Sequence, residues 1–351
     1  MADVSFTSID ELGEFGLIDR LTKALEINNK STLMSVGDDC AIVSYPDKNI
    51  LLSSDMMVSN VHFDLLYTPL QHLGYKAVIQ SISDIYAMNG IAEQIIVSVA
   101  FSNKFSVEMA DLLYEGIKAA CNQYEVDLAG GDTTTILNGL VINVTAIGSA
   151  APEMICYRHG AVKNDILCVS GDLGAAYLGL LLLEREKMVY LTDNQMQPIL
   201  EGHDYILRRQ LRPEARKDMV LMLKDIGIKP TSMIDISDGL SSEILHIAKS
   251  SNVGVKLFED KIPIDPTAFK TARDFNLDPV TAALSGGEDY ELLFTIKTED
   301  YEKIKNNPDI TAIGHITDQD YGCKLITKSG SETEIKAQGW KVFNKEKKGH
   351  A

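Results

Sequence analysis

The chain has 351 residues, enough for two domains of ordinary size, and 45% hydrophobic and 24% charged residues are typical of a globular protein. Its formal net charge of −17 argues against nucleic acids and anionic membranes as partners, because both require a basic surface. No apolar run is long enough to span a membrane, no signal-like leader is visible, and the five cysteines are scattered without a CxxC pair. We therefore expect a protein of the reducing cytoplasm.

Short apolar and alternating runs are interspersed with helical patterns, which predicts an α/β fold. The predicted strands are residues 49–54, 94–101, 140–150, 165–170, 233–236, 253–258, 290–296 and 310–316. One predicted helix begins near Pro69 and ends before Gly90, with proline at its start and glycine past its end. Three others cover about 107–124, 213–226 and 238–250, and an apolar run at 175–183 predicts part of a buried helix.

The clearest domain boundary lies where the strand at 140–150 ends in Ser-Ala-Ala-Pro. This predicts an N-terminal domain of residues 1–150 and a C-terminal domain of residues 151–344. The polar segment 345–351 is predicted to be a disordered tail.

Acidic residues recur where the predicted strands and helices end. The five segments are Gly37-Asp38-Asp39, Ser53-Ser54-Asp55, Ser81-Ile82-Ser83-Asp84, Gly130-Gly131-Asp132 and Asp235-Ile236-Ser237-Asp238-Gly239. A sixth, Gly286-Gly287-Glu288-Asp289, precedes a strand. Each motif alone is more often structural, because aspartate is common in turns and helix caps, and Asp238 would be an ordinary cap. Together they favour a shared metal site, although they do not name a reaction.

Asp84 is the most informative of these acids. It lies inside a helical pattern among Val78, Ile82, Ile85 and Tyr86, where a partly buried carboxylate costs several kcal/mol unless something compensates it. Magnesium would compensate it, because Mg²⁺ prefers carboxylate, phosphate and water oxygens. At the junction that holds Asp235, a helix N-terminus would in addition offer free N–H groups to a phosphate.

Other catalytic signatures are missing from the sequence. It contains no Walker A loop, no GxSxG elbow and no HExxH motif. His62 alone is more often a surface or packing histidine than a catalytic base. Trp340, the only tryptophan, suits either a core anchor or a stacking platform for an aromatic ligand.

The acidic motifs, in this order, resemble the thiamine-monophosphate kinase family. The resemblance begins at Glu11-Leu12-Gly13-Glu14-Phe15 and runs through the five acidic segments and Ser285-Gly286-Gly287-Glu288-Asp289 to Gly339-Trp340. It covers nearly the whole chain. It implies a two-domain α/β fold with mixed sheets, like that of aminoimidazole ribonucleotide synthetase, whose N-terminal strands pair across a homodimer. It also implies ATP-dependent conversion of thiamine monophosphate to thiamine diphosphate.

The resemblance further implies roles for individual residues. The implied ligands of several Mg²⁺ ions are Asp39, Ser53, Ser54, Asp55, Asp84, Asp132, Asp235 and Asp238. The implied ATP contacts are Tyr114, Gly131, Asp132, Arg158 and Ser237. The implied thiamine-phosphate contacts are His62, Glu288 and Trp340, with Trp340 expected to stack on a substrate ring.

The implied reaction needs no general base, because the acceptor is already an anionic phosphate oxygen. Catalysis would consist of aligning two polyanions and neutralising their charge during in-line transfer. Two alternatives stay open: a cyclase of the same superfamily, such as aminoimidazole ribonucleotide synthetase, and a nucleotide- and metal-binding sensor without turnover.

Overall fold

The computed structural model describes residues 30–193 and 196–337, together with Gly16, Ile18, Arg20 and Thr22. Its strands are β1 (Thr32–Met34), β2 (Ala41–Ser44), β3 (Asn49–Val58), β4 (Ile91–Phe101), β5 (Asp127–Thr135), β6 (Leu140–Ala150), β7 (Ile166–Ser170), β8 (Ser232–Asp235), β9 (Gly254–Phe258), β10 (Leu292–Ile296), β11 (Ile310–Thr317), β12 (Cys323–Ile326) and β13 (Glu332–Glu334). Its helices are α1 (Leu70–Ala87), α2 (Val107–Tyr124), α3 (Ala175–Thr192), α4 (Asp204–Leu211), α5 (Lys217–Asp225), α6 (Leu240–Ser251), α7 (Pro266–Asp274), α8 (Pro279–Ser285) and α9 (Tyr301–Ile304).

The first sheet has six strands in the order β1-β2-β3-β6-β4-β5. All neighbours are antiparallel except β4 and β5, which are parallel because α2 crosses between them. Helix α1 packs on one face of this sheet, which we call the inner face. Buried residues such as Val97 and Val144 alternate with more exposed ones along β4 and β6, as one covered face requires. The opposite face, with Ile96 and Met56, is called the outer face.

The second sheet has seven strands in the order β13-β12-β9-β11-β7-β10-β8, and only β12 and β9 are parallel. The largest hydrophobic core is continuous between the two sheets: it contains Leu51 and Ile82 of the first half as well as Met233 and Phe294 of the second. A single core across both halves fixes helix α1 against β8. The predicted α/β fold with mixed sheets is confirmed.

Most predicted elements are present. Strand β6 and helix α2 have the predicted bounds, and Ser106 accepts a hydrogen bond from the Met109 N–H as the cap of α2. The helix predicted from Pro213 begins later, at Lys217. Strand β3 continues four residues past the predicted end, and β5 was not among the predicted strands. Its nine residues are all exposed, so it lacks the apolar alternation that identifies a strand.

No helix among the described residues has both the length and the apolar character needed to cross a membrane. All five cysteines are free thiols, and four of them are buried. Trp340 and the predicted tail 345–351 lie outside the described residues. Every strand of the first sheet ends by Ala150 and every strand of the second begins at Ile166 or later. The domain boundary at residues 150–151 stays a prediction.

Candidate metal and nucleotide site

Three carboxylates from distant parts of the sequence meet between the two sheets. Asp39 lies in the loop between β1 and β2, Asp84 in the last turn of α1, and Asp235 at the end of β8. One ligand atom from each lies within 4.8 Å of the other two. We call these three residues the acidic cluster. The arrangement depends on the core between the sheets, because that core brings the end of β8 to helix α1.

Hydroxyl groups on two elements hold the acidic cluster in place. Ser53, on the inner face of β3, donates a hydrogen bond to Asp84. Ser83, next to Asp84 in α1, donates to Oδ2 of Asp235 at 2.5 Å. Asp55 is also directed to this side of the sheet, because its Oδ1 accepts from Nε2 of Gln80 at 3.4 Å. Asp55 therefore lies in the middle of β3 and points at α1, whereas the sequence placed it just past a strand end.

Burial and mutual repulsion raise the proton affinity of these acids. Desolvation, followed by the charge of Asp39, raises the pKa of Asp235 from 3.8 to about 7. Desolvation and the charges of Asp55, Asp235 and Asp39 raise the pKa of Asp84 well above its ordinary value. Burial likewise raises the pKa of Asp55. These carboxyl groups resist ionisation unless a positive charge lies near them. Together with the neighbouring hydroxyl oxygens, they are suitable ligands for a divalent cation such as Mg²⁺.

Arg158 is the cation nearest the acidic cluster. Its Nη2 donates to Oδ1 of Asp39 at 2.6 Å and its Nε donates to Oδ2 at 3.2 Å, which is a bidentate pair. Its backbone N–H donates to Oδ2 of Asp38 at 3.2 Å. Burial, followed by the charge of Asp39, raises the pKa of Asp38 to about 7. Both acids of the Gly37-Asp38-Asp39 motif thus contact the segment that follows the first sheet.

The loop after β8 corrects one expectation. Oε1 of the buried Glu243 accepts the backbone N–H groups of Ser237 at 3.1 Å and Asp238 at 2.8 Å. These two loop amides are therefore occupied and are not available to a phosphate. The cap of α6 is Gly239, so Asp238 is not its N-cap. Glu243 instead fixes the loop that carries Ser237 and Asp238.

Two of the predicted metal ligands face away from the acidic cluster within one protomer. Hydroxyl Oγ of Ser54 lies 3.0 Å from Oγ1 of Thr145 on the outer face, opposite to Ser53. Asp132 lies opposite Ser98 in the β4–β5 pairing, and Ser98 lies opposite Asn143 of β6. Paired residues point to one face of a sheet, so Asp132 also belongs to the outer face.

The other predicted nucleotide contacts lie near these strands. Gly131 is the neighbour of Asp132 in β5, and a Cβ atom there would lie 2.0 Å from the Val97 carbonyl oxygen. Glycine is therefore required by the close approach of β4. Tyr114 lies in α2 and packs against the core from a partly buried position.

The predicted substrate contacts are separated along the chain. Nδ1 of His62 accepts the backbone N–H of Val58 at 3.1 Å, in the turn after β3. Glu288 lies between α8 and β10 in a left-handed conformation, with φ of 65°. Its Oε1 lies 2.8 Å from Nζ of Lys76, and its Oε2 accepts from Nε2 of Gln210 at 2.9 Å.

Several residues that shape this site were not predicted from the sequence. Lys76 is a lysine among the apolar residues of α1, and that anomaly was a usable signal. Glu243, near the start of the predicted helix 238–250, was another, because an acid there can accept the N–H groups that precede the helix. Ser83 and Gln80 had no signal of their own, because only the folded geometry shows which acid each contacts.

Comparison with known proteins finds one family model, two relatives and one solved structure that are similar to this chain. Residues 37–150 match the family model of the AIR synthase related protein, N-terminal domain. The chain is 32% identical over 340 residues to the thiamine-monophosphate kinase of Bacillus subtilis (strain 168), covering 95% of this chain and 100% of the relative. It is 34% identical over 337 residues to that of Aquifex aeolicus (strain VF5), covering 95% and 99%. The solved structure of AaThiL complexed with AMPPCP and TMP superimposes with a TM-score of 0.80 at 31% identity, covering 97% of this chain and 100% of that one.

The raised pKa values predict how stability depends on pH without metal. A carboxyl whose pKa is higher in the folded state stabilises the fold at low pH, and that contribution is lost as pH rises through the folded value. For Asp235 this loss of stability occurs over the pH range from 3.8 to about 7. In the presence of a chelator, the thermal midpoint should therefore decrease as the pH rises from 5 to 7.5. Asp235→Asn should make this decrease with pH smaller. An equal slope in Asp235→Asn would contradict the assignment, and Asp111→Asn, on exposed helix surface, is the control.

Asp84→Asn tests the acidic cluster directly. Without metal, we expect an unchanged or higher thermal midpoint, because the amide removes a repelling carboxylate of similar shape. The stabilisation that millimolar Mg²⁺ gives to the wild type should shrink, because the site loses a ligand. Thermal unfolding with and without Mg²⁺ measures both effects, with Asp111→Asn as control. A fall of many degrees in chelator would show that Asp84 is structural instead.

Proposed function

The chain belongs to the thiamine-monophosphate kinase family, and on that premise we propose that it phosphorylates thiamine monophosphate with ATP to give thiamine diphosphate and ADP. The observation that carries the proposal is the buried acidic cluster beside Arg158 and the Ser237 loop, in a chain that aligns over nearly its whole length with AaThiL complexed with AMPPCP and TMP. Burying several carboxylates together costs free energy of folding unless cations bind to them.

Asp39, Asp84 and Asp235, with Ser53 and Asp55, would hold Mg²⁺ at the cluster. Bound Mg²⁺ would supply positive charge that lets two polyanions approach each other. Asp238, in the loop that Glu243 fixes, would bind a further ion. The chain's own part in the reaction is to position the nucleotide and the acceptor, since the acceptor phosphate oxygen is already anionic and needs no base. His62 is accordingly proposed as a substrate contact and not as a catalytic base.

Arg158 is proposed to bind the nucleotide phosphates. Without ligands its guanidinium is occupied by Asp39 in a bidentate pair. A phosphate offers the same bidentate geometry as a carboxylate. On nucleotide binding Arg158 would exchange its Asp39 partner for a phosphate, which would leave Asp39 available as a metal ligand. Ser237 and Tyr114 are proposed as further ATP contacts.

Glu288 and Trp340 complete the proposed thiamine-phosphate site together with His62. Glu288 lies next to the Ser237 loop, since its N–H donates to the Ser237 carbonyl oxygen at 2.8 Å. An acid at this position suits thiamine, whose thiazolium ring is cationic. The proposal for Trp340 is ring stacking and rests on the sequence alone.

ADP release tests the proposed reaction. The purified chain should release ADP only when ATP, thiamine monophosphate and Mg²⁺ are all present, with thiamine diphosphate formed in equal amount. Asp84→Asn should lower kcat by about a hundredfold or more, because it removes a group that organises charge in the transition state. Well-folded protein that binds ATP without substrate-dependent turnover would contradict the kinase and favour a sensor. Turnover with formylglycinamidine ribonucleotide instead would favour the cyclase.

We also propose that the chain is a homodimer that pairs through its first sheet. The outer face exposes Met56 (53%) and Ile96 (39%), and β5 is an edge strand whose nine residues are all exposed. Exposed edges and apolar faces are normally covered. Because Ser54 and Asp132 lie on this side, a second copy covering it would also surround these two predicted ligands, which lie apart from the acidic cluster.

Sedimentation of two variants checks the dimer. The wild type should sediment at twice the chain mass, and Ile96→Glu should shift it to monomer, because a buried unpaired charge opposes association. Leu221→Ser removes an equally exposed apolar residue from α5 and should leave the dimer intact. A monomeric wild type, or a dimeric Ile96→Glu, would contradict this interface.

A further inference from the structure

Lys76 is a buried lysine that the proposed chemistry has not used. It lies in α1 and is only 3% exposed. Its Nζ contacts Oε1 of Glu288 at 2.8 Å and donates to the carbonyl oxygen of Gln210 at 3.0 Å. Burying an ammonium group is costly, so a buried lysine needs close partners of this kind. Both partners belong to the second half of the chain, whereas α1 packs on the first sheet.

Glu288 is held at both oxygens and through its backbone. Oε1 contacts Lys76, Oε2 accepts from Gln210, and its N–H donates to Ser237. Its left-handed φ of 65° is unfavourable for a residue with a side chain, so surrounding contacts must maintain it. The preceding Gly287 could not carry a Cβ atom, which would lie 2.2 Å from the Ser237 carbonyl oxygen. The carboxylate therefore has one defined direction.

The same side of α1 carries Lys76, Gln80 and Asp84, at intervals of four residues. Gln80 contacts Asp55, and Asp84 belongs to the acidic cluster. Eight residues, about 12 Å along the helix axis, separate the positions of Lys76 and Asp84 in α1. One rigid helix thus determines the distance between the acid proposed to bind the thiamine end and the carboxylates proposed to bind the phosphates.

We propose that Lys76 is a positioning residue for substrate: from helix α1 it aims the Glu288 carboxylate at the thiamine ring system while the same helix places Asp84 at the transferred phosphate. This inference rests on the proposed function and adds to it a residue that does not itself contact the reacting atoms. Loss of Lys76 should weaken thiamine-monophosphate binding selectively, because ATP is held by other groups.

Lys76→Met tests the proposal, since methionine keeps the aliphatic stem and removes the charge. We expect KM for thiamine monophosphate to rise about tenfold or more, as is typical for losing a charged hydrogen bond, with kcat and KM for ATP within about threefold. Gln210→Leu removes the second Glu288 contact and keeps the backbone carbonyl. It should raise the same KM by a smaller factor. Lys48→Met is the matched control, because it breaks only surface contacts, with Glu93 at 3.1 Å and with Ser149 at 3.3 Å.

A double variant separates positioning from structural support. In a Glu288→Gln background, which has already lost the acid, adding Lys76→Met should raise KM no further. The role is contradicted by an unchanged KM in Lys76→Met, by equal rises in KM for both substrates, or by a full effect of Lys76→Met in the Glu288→Gln background. If Lys76→Met does not fold, Gln210→Leu tests the proposal in its place: KM for thiamine monophosphate should rise and KM for ATP should not. Wild type that releases no ADP would contradict the kinase itself, whereas active wild type with unaffected variants contradicts only the role of Lys76.

Discussion

The convergence of Asp39, Asp84 and Asp235 is the interaction on which the rest of the structure depends. Three ionised carboxylates within 4.8 Å would repel by about 3.5 kcal/mol per pair at an effective dielectric constant of 20. Two features reduce this repulsion. The raised pKa values of Asp84 and Asp235 favour their protonated, neutral forms, and Arg158 neutralises the charge of Asp39. Both features are reversible, and both would give way to a cation that binds the same oxygens. The acidic cluster therefore carries more negative charge than the side chains around it neutralise.

The two-sheet architecture explains why the acids meet. Asp84 comes from a helix on the first sheet and Asp235 from an edge strand of the second, and the common core holds these elements together. The Ser83–Asp235 hydrogen bond and the Lys76–Glu288 pair cross the same boundary. The proposed substrate contact, the proposed metal site and the packing of the two halves consequently share one helix, α1. A change in the position of this helix would affect all three.

The sequence predicted the members of the cluster better than their geometry. Asp84 stood out because a carboxylate within an apolar helical pattern needs compensation, and in the structure it lies half-buried beside two other predicted ligands. The faces of Ser54 and Asp132 could not be predicted, because a side chain's face depends on strand extent and pairing. Strand β3 continues past Asp55, and the polar β5 gives no alternating signal. The contact between Glu243 and the Ser237 loop could not be predicted either, because only the folded chain brings the two together.

We expect the acidic cluster to bind a divalent cation. Anomalous diffraction from a crystal soaked in Mn²⁺, which takes the same oxygen ligands as Mg²⁺, tests this expectation. We predict an anomalous peak within coordinating distance of Asp84 and Asp235, with Asp39 turned toward it and away from Arg158. An ordered, well-occupied crystal with manganese peaks elsewhere and none at these carboxylates would contradict it.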